Sequence, residues 1–194
     1  MEPTDDRDEQ TMAQVAEGRA DRLEPLVRRH ATPLLTFIRR MVGDRHRSEE
    51  LFQEVFLAVW VKRRQYEFPR PFKPWLYAIA LNQCRAAYRG RKPDTVPLSD
   101  ADGITPPAPG ASPVECAMAA ETAECVAQAV LRLPPRQRAV VTLRVWEGLP
   151  YGRIAEIVGC SEVTVRSHMH QGLAALRQDL GAQHGVCDPS RGAL

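Results

Sequence analysis

Hydrophobic side chains recur at three- and four-residue steps over residues 151–171, and this spacing predicts two short helices joined by a tight turn. Gly159 follows the first helix, where a glycine readily takes the positive φ that ends a helix. Ser161 is a favourable N-cap for the second helix. The apolar face of the first helix is formed by Ile154, Ala155 and Val158.

The second helix of this pair is predicted to have an inner and an outer face. Val163 and Val165 are expected to point inward, together with Met169 and Leu173. The outer face would carry Glu162, Thr164, Arg166, Ser167, His168 and His170. A helix held in this way can lay its outer side chains in the major groove of DNA. The pattern therefore predicts a helix-turn-helix, and the competing interpretation is an ordinary helical hairpin.

The rest of the chain follows the same helical period, beginning with an amphipathic turn from Thr11 that Gly18 breaks. Gly43 closes the next helix, and Asp44 can cap the one after it. Helices are predicted over 22–43, 46–66, 75–91, 117–133 and 136–146. No segment alternates like a strand, and no internal repeat is evident.

Composition divides this helical chain into two parts. Six prolines fall in residues 93–116 without periodicity, which is typical of a linker. The predicted fold is all-α, with two small helical domains joined by a flexible, proline-rich acidic linker. The predicted segments are a disordered N-terminus (1–10), a first helical domain (11–92), the linker (93–117), a helix-turn-helix domain (118–180) and a tail (181–194).

Charge is distributed unevenly along the chain, although the formal net charge is only +2. Residues 11–92 carry 17 Lys and Arg against 8 Asp and Glu, and residues 132–180 carry 7 against 4. Residues 93–131 between them hold 6 acids and no Lys or Arg. Two basic blocks flanking an acidic spacer favour polyanionic partners for both domains.

The cysteines and the N-terminus limit which other classes of protein the chain can belong to. The five cysteines form no CxxC pair and no zinc-type spacing, so no metal site is expected. Cys84, Cys125 and Cys160 are interpreted as small buried side chains. The polar, acidic N-terminus is unlike a secretory signal, and no run approaches the roughly 18 apolar residues of a membrane span. These features predict a cytoplasmic protein without a membrane span.

Three motifs stand in a specific order along the chain. They are SEELFQEVFLAVW at 48–60, FPRPFKPWLYAIALNQCR at 68–85, and the stretch 133–177, which contains the helix-turn-helix. In order and spacing they resemble the extracytoplasmic-function (group 4) sigma factors of bacterial RNA polymerase, over residues 11–92 and 118–180. The resemblance implies a dissociable initiation subunit that confers promoter specificity, is not an enzyme, and uses no cofactor and no catalytic residue of its own.

The first motif places polar side chains on one helix face, since Glu50, Gln53 and Glu54 are three and four residues apart. In the family this helix docks on the clamp helices of the largest polymerase subunit. Sigma factors usually carry Asp where this chain has Glu50. The competing interpretation is a solvated helix face. The resemblance implies docking by Glu50, Leu51, Gln53, Glu54, Phe56 and Leu57, with the flap of the second-largest subunit as a further partner.

The second motif lies where the family captures the single-stranded −10 element, which requires cationic and stacking side chains. Trp75 begins an apolar face, which favours core packing, and the loop aromatics suit packing and base contact equally. The cationic residues could also form a solvated face. The implied −10 contacts are Lys62, Arg63, Arg64, Tyr66, Phe68, Arg70, Lys73, Asn82, Arg85 and Arg89.

The third motif resembles the module that reads the −35 element as a duplex. Arg166 is the side chain best suited to a bidentate guanine contact, whereas Arg144 and Arg153 suit phosphate. The implied −35 contacts are Arg144, Arg153, Glu162, Thr164, Arg166, Ser167, His168 and His170. Promoter DNA is therefore the second expected partner, beside core RNA polymerase.

Several alternatives remain open from the sequence. A free-standing, LuxR-like regulator would bind a duplex operator without polymerase, and a sigma mimic would bind polymerase without opening promoters. A di-metal enzyme is disfavoured because no Glu-x-x-His pattern accompanies the carboxylates. The acidic linker suits either a mimic of nucleic-acid charge in the polymerase or a solvated spacer. Many family members are also held inactive by an anti-sigma factor.

Overall fold

The computed structural model describes residues 5–89 and 113–183. These residues form eight α-helices and contain no strand, which confirms the all-α prediction for the described part of the chain. Two short 3-10 turns, Ala20–Arg22 and Arg63–Gln65, complete the elements. The helices are α1 (Asp5–Ala16), α2 (Leu23–Val42), α3 (Arg45–Lys62), α4 (Phe72–Arg89), α5 (Pro113–Arg132), α6 (Pro135–Val145), α7 (Tyr151–Val158) and α8 (Glu162–Gln183).

Helix ends follow the predicted capping chemistry. Gly43 takes φ +78° after α2, and the Asp44 side chain accepts a hydrogen bond from the Arg47 amide at 2.8 Å to begin α3. Two helices begin earlier than predicted, α4 by three residues and α5 by four. Pro74 is tolerated in α4 because the first turn needs no backbone N–H from it.

The N-terminal acidic segment is a helix, so the prediction of disorder over 1–10 is wrong for residues 5–10. Asp8 and Glu9 are buried. Asp8 pairs with Arg29 and lies 2.8 Å from His30 Nε2, and Glu9 accepts a hydrogen bond from the Phe72 amide at 2.8 Å. Acidic composition suggested a solvated tail, but these two carboxylates have tertiary partners that composition does not reveal.

This burial predicts that Asp8 stabilises the first domain. Asp8→Ala should lower the free energy of unfolding by about 1–3 kcal/mol, because Arg29 and His30 would lose a buried carboxylate partner. Urea unfolding followed by circular dichroism measures the change. Gln10→Ala, an exposed position on the same helix, is the control. Equal stability of the two variants would show that α1 contributes nothing through this pair.

Each domain has its own set of fully buried side chains. Helices α1–α4 bury Leu34, Phe37, Leu51, Phe72 and Tyr77, and helices α5–α8 bury Val130, Val140, Leu143, Ile154 and Val165. Trp75 is 7% exposed and packs edge-on against Tyr66, as its apolar helix face predicted. Helix packing of this kind fixes the directions in which the polar faces point.

The two domains pack against each other, which the sequence did not predict. Helix α4 contacts α7, and α2 contacts α5 and α6. Most of the predicted linker and nearly all of the predicted tail lie outside the described residues; residues 113–117 and 181–183 within them are helical.

Candidate functional site

Helices α7 and α8 form the predicted helix-turn-helix. Gly159 lies between them with φ +78°, and Ser161 Oγ accepts a hydrogen bond from the Thr164 amide at 3.1 Å. Ile154 on α7 and Val165 on α8 are fully buried. The turn glycine, the N-cap and the buried valine therefore occupy the positions that the sequence predicted.

Val163 departs from the prediction of an inward side chain. It is 77% exposed, whereas Val165 is fully buried. Two residues correspond to about 200° around a helix, so these two valines cannot share a face. Because Val165 faces the core, Val163 lies among the outward side chains at the N-terminal end of α8.

The outward face of α8 presents a mixed polar surface. Exposed side chains are Glu162, Arg166, Ser167 and His170, and half-buried ones are Thr164 and His168. Arg166 Nη2 lies 2.5 Å from Glu162 Oε1 and its guanidinium lies 4.6 Å from the centre of the Tyr151 ring. This places the principal predicted base-reading side chain in a defined position.

The two predicted phosphate contacts lie on neighbouring helices. The Arg144 guanidinium is 4.9 Å from the Tyr151 ring centre, and Nη1 donates to the Leu149 carbonyl at 3.1 Å. Arg153 on α7 pairs with Glu156 at 3.1 Å. Helices α6 and α8 thus bring Arg144 and Arg166 to the same ring, that of Tyr151 at the start of α7.

The predicted polymerase-docking side chains divide between surface and core. Glu50 and Gln53 are exposed and Glu54 is half-buried. Leu51 is fully buried and Phe56 is 7% exposed, so these two residues support the face from inside and do not form part of its surface, contrary to their placement among the contacts.

Two apolar residues extend the polar face of α3. Leu57 is 64% exposed and Val61 is 68% exposed. With Glu50 and Glu54 they stand at three- or four-residue steps and form one stripe along the helix. Val61 was missed from the sequence, although the same spacing that linked Glu50 to Glu54 reaches it. We call Glu50, Gln53, Glu54, Leu57 and Val61 the α3 stripe.

Arg47 orders the acidic end of the α3 stripe. Its Nη1 donates to Glu50 Oε2 at 2.8 Å and to Glu54 Oε1 at 3.1 Å. The hydrogen bond with Glu50 and the charge of both carboxylates raise the pKa of Arg47 above its ordinary value. These exposed pairs add little to stability, but they hold both carboxylates in one orientation.

The predicted −10 residues fall into three groups. Exposed side chains at the end of α3, in the following loop and on α4 are Lys62, Arg64, Phe68, Arg70, Asn82 and Arg89. Tyr66 is 6% exposed and donates its hydroxyl to the Arg70 carbonyl, so it packs in the core and is not open to stacking with a base. Arg63 lies 4.0 Å over the Trp60 ring and donates to the Trp60 carbonyl at 2.7 Å.

Lys73 and Arg85 form the third group, since both contact the second domain. Lys73 Nζ donates to the Glu147 carbonyl at 2.8 Å, and Arg85 Nη2 donates to the Val158 carbonyl at 3.1 Å. Burial lowers the pKa of Arg85 from its ordinary value. Two side chains predicted to contact DNA are therefore engaged within the protein.

Glu147 is the centre of this contact between the domains. Its side chain is 4% exposed, and Oε2 accepts the Tyr77 hydroxyl at 2.5 Å and lies 3.5 Å from Lys73 Nζ. Burial and the adjacent carboxylate raise the pKa of Tyr77, which keeps its hydroxyl protonated as a donor. We call the contacts of Lys73, Tyr77 and Arg85 with the second domain the α4 interface.

Two arginines reinforce the packing beside the α4 interface. The Arg40 guanidinium lies 4.2 Å over the Trp146 ring. Arg138 is 7% exposed and its Nη1 donates at 2.6 Å to both the Met41 carbonyl and the Tyr88 hydroxyl. Sequence reasoning missed these pairs because their partners lie about 50 or more positions apart in the chain.

Other site classes find no support in the described residues. They contain no cluster of three or more His, Cys, Asp or Glu that could hold a metal ion. No helix among them is long and apolar enough to cross a membrane. Cys84 is buried, which raises its thiol pKa to about 12, whereas Cys125 and Cys160 are half-buried.

Comparisons with known proteins identify the family of the chain. The sigma-70 region 2 family model matches residues 26–93, and the sigma-70 region 4 model matches residues 123–176. The chain is 31% identical over 170 residues to the RNA polymerase sigma factor CarQ of Myxococcus xanthus, covering 88% of this chain and 95% of that protein. The chain belongs to the extracytoplasmic-function group of the sigma-70 family.

Further relatives agree with this assignment. The sigma factor is 29% identical over 174 residues to the ECF RNA polymerase sigma factor SigW of Bacillus subtilis, covering 86% of this chain and 93% of the relative. Its fold is similar to that of CnrH, solved with the cytosolic domain of CnrY, with a TM-score of 0.67 and 24% identity over 90% of this chain and 97% of that chain.

A second solved structure shares the fold of this sigma factor. It is RpoE from Bartonella quintana in complex with the anti-sigma factor NepR, with a TM-score of 0.65 and 22% identity, covering 81% of this chain and 95% of that chain. The α3 stripe lies within the region 2 match, and the predicted helix-turn-helix, residues 151–171, lies within the region 4 match. The predicted helix-turn-helix and docking helix thus fall in separate family regions.

Proposed function

We propose that this sigma factor binds core RNA polymerase and directs promoter-specific initiation by reading a single-stranded −10 element and a duplex −35 element. The observation that carries the proposal is that one chain combines exposed cations around the loop after α3, within the region 2 match, with a helix-turn-helix within the region 4 match. The nucleotide chemistry belongs to the polymerase, so the sigma factor supplies only binding and positioning.

The α3 stripe is the proposed docking surface for the polymerase. Oriented carboxylates at Glu50 and Glu54 suit a basic groove, and the exposed Leu57 and Val61 add apolar area that docking would remove from water. Arg47 reduces the net charge of the stripe while fixing the direction of its carboxylates. The carboxylates would then set the register and orientation of α3 on the polymerase, and burial of the apolar side chains would add to the affinity of the complex.

The two proposed DNA surfaces differ in the form of DNA that they suit. Around the loop after α3, the exposed Arg64, Phe68 and Arg70 combine cations with an aromatic ring, as single-strand binding requires. At the other end of the chain, α8 presents a convex outer face to a major groove. The proposed domains, 11–92 for polymerase and −10 contacts and 118–180 for −35 contacts, follow this division.

The second domain alone is weakly equipped for tight operator binding. Its formal charge over 132–180 is only +3, and α8 offers a single outward arginine near its N-terminal end. Attachment to a polymerase already on the promoter would raise the effective concentration of this domain at the −35 element. A free-standing LuxR-like regulator would need its own dimer or ligand surface, and both matched regions favour the sigma factor instead.

The proposal also includes a cellular location and a further protein partner. We place the sigma factor in the cytoplasm, where bacterial polymerase works. An anti-sigma factor is a further proposed partner, because the two solved structures with the same fold are described as complexes, one of them with an anti-sigma factor.

Binding measurements separate the sigma factor from the free-standing regulator. Duplexes would be selected from a random library by the full chain with core polymerase, and their affinity then measured with and without polymerase. We expect at least about tenfold tighter, sequence-dependent binding with polymerase, as effective concentration requires. Equal, sequence-specific affinity of the chain alone would support the regulator and contradict the proposal.

A further inference from the structure

Two arginines and one tyrosine form a cluster at the start of the helix-turn-helix. The resemblance to sigma factors gives roles to the arginines but none to the tyrosine. Tyr151 is the first residue of α7, and the guanidiniums of Arg144 and Arg166 lie 4.9 and 4.6 Å from its ring centre. Arg144 comes from the last turn of α6 and Arg166 from α8. One half-buried ring therefore links side chains from three helices.

Each arginine is held at a second point. Arg166 Nη2 bonds to Glu162, and Arg144 Nη1 donates to the Leu149 carbonyl. A guanidinium that both stacks on a ring and donates to a fixed oxygen loses much of its rotamer freedom before any ligand arrives. The two guanidiniums are drawn to the same ring and therefore repel each other. An anion bound at the site would reduce this repulsion.

We infer that Tyr151 is a positioning residue for −35 recognition, fixing Arg166 for a base-edge contact and Arg144 for a phosphate. The inference rests on the proposed function. Bidentate contact with guanine requires the guanidinium plane to meet the base edge squarely. A ring that fixes this plane lowers the ordering cost of binding, and the shared ring sets the spacing between the base contact and the phosphate contact.

Ring substitutions test this inference, with the full chain bound to core polymerase and duplexes selected as above. Tyr151→Phe and Tyr151→Trp keep a ring and should keep the preference for the selected guanine. Tyr151→Leu should lower that preference about tenfold and reduce the slope of log affinity against log salt by about one phosphate contact. The two readouts report Arg166 and Arg144 separately.

A second variant guards against misfolding of Tyr151→Leu. Glu162→Ala removes the other support of Arg166 on an exposed surface and should lower guanine preference without changing the salt slope for Arg144. Unchanged guanine preference in both Tyr151→Leu and Glu162→Ala would overturn the inference. If the wild-type complex selects no −35 duplex at all, the proposed function fails instead.

The α4 interface carries a second, independent inference. Lys73 and Arg85 are proposed −10 contacts, yet both donate hydrogen bonds to the second domain. Single-stranded DNA and the second domain would therefore need the same side chains of α4. Hydrogen bonds and a cation–π contact join the domains here, and polar contacts of this kind occur at interfaces between domains that separate.

We propose that the second domain restrains the −10 surface of the unbound sigma factor and leaves it when DNA or polymerase binds. This inference also rests on the proposed function. In a closed chain the apparent affinity for single-stranded DNA falls in proportion to the open fraction. Glu147 is the residue whose loss opens the interface most directly, since its carboxylate accepts from Tyr77 and faces Lys73.

The test compares two acid-to-alanine changes in the full chain without polymerase. Glu147→Ala should enlarge the radius of gyration in X-ray scattering and bind a labelled random-sequence single-stranded DNA about fivefold more tightly than wild type. Glu156→Ala removes an equal charge from an exposed site of the same domain, and should leave the radius unchanged and raise affinity less than twofold.

A substitution that changes no charge separates the effect of opening the α4 interface from the effect of removing a negative charge. Trp146→Ala removes the ring beneath Arg40 and should expand the chain and tighten DNA binding in the same direction. Circular dichroism checks that both interface variants remain helical. Equal affinity of Glu147→Ala and Glu156→Ala, with Trp146→Ala like wild type, would overturn the proposal. Polymerase-dependent initiation by all variants would then show that the proposed function survives without the restraint.

Discussion

The double charge reversal Glu50→Lys and Glu54→Lys should abolish measurable binding to core RNA polymerase, lowering affinity by roughly 100-fold or more. Arg47 now bridges these carboxylates, so the variant places three cations together at the start of the α3 stripe. A basic groove that accepts the wild-type helix would repel them. Competition for core polymerase against the labelled wild-type chain measures the loss.

The control places the same change of charge elsewhere on the first domain. Glu17→Lys with Glu24→Lys alters two exposed acids outside α3 and should leave core affinity within about twofold, because exposed charges away from an interface act weakly. Both double variants should remain helical and unfold cooperatively. Retained core binding by Glu50→Lys with Glu54→Lys would show that another face docks.

Arg166→Ala should give the second large effect, a loss of roughly 10- to 100-fold in preference for one guanine of the −35 element, equivalent to about 1–3 kcal/mol. Arg166→Lys should lose nearly as much, because an ammonium cannot make the planar two-point contact. The measurement is the affinity of the holoenzyme for selected duplexes with that base pair substituted, at fixed salt.

Arg177 offers the matched control for Arg166, since it is an exposed arginine later on the same helix. Arg177→Ala should leave base preference unchanged, and any loss of affinity should be similar for all sequences. If Arg166→Ala weakens all duplexes equally, Arg166 contacts phosphate and the base-reading role belongs to another side chain.

Local signals in the sequence predicted the helices and the helix-turn-helix well. Gly43, Asp44, Gly159 and Ser161 act through their own backbone or a neighbouring amide, so their roles follow from adjacent residues. Val163 shows the limit of this reasoning. Two nearby valines both fit an apolar pattern, and only the register of the packed helix decides which one faces the core.

Long-range partners could not be predicted in the same way. Asp8 and Glu9 were interpreted as part of a disordered acidic end, yet they pair with Arg29 and with the Phe72 amide. Glu147 likewise meets its partners Tyr77 and Lys73 at separations of 70 and 74 residues along the chain. Burying a carboxylate depends on a partner far along the chain, and composition carries no information about that partner.

The candidate site was predicted at the level of faces and regions, with less success for single contacts. The acidic spacing on α3 located the stripe, but Leu51, Phe56 and Tyr66 proved to be core residues because apolar and aromatic side chains within a motif serve packing as readily as recognition. Lys73 and Arg85 were predicted as −10 contacts, and their hydrogen bonds to the second domain depend on tertiary packing that the sequence pattern does not show.

Run-off transcription tests the central proposal most directly. Core polymerase would be incubated with a promoter library, with the full chain, with the Glu50→Lys and Glu54→Lys variant, or with no addition, and the transcript starts sequenced. The wild-type chain should produce starts from a defined set of promoters with shared −10 and −35 elements, and the variant should produce none above background. Identical transcripts with and without the wild-type chain would contradict the proposal that it is an initiation subunit.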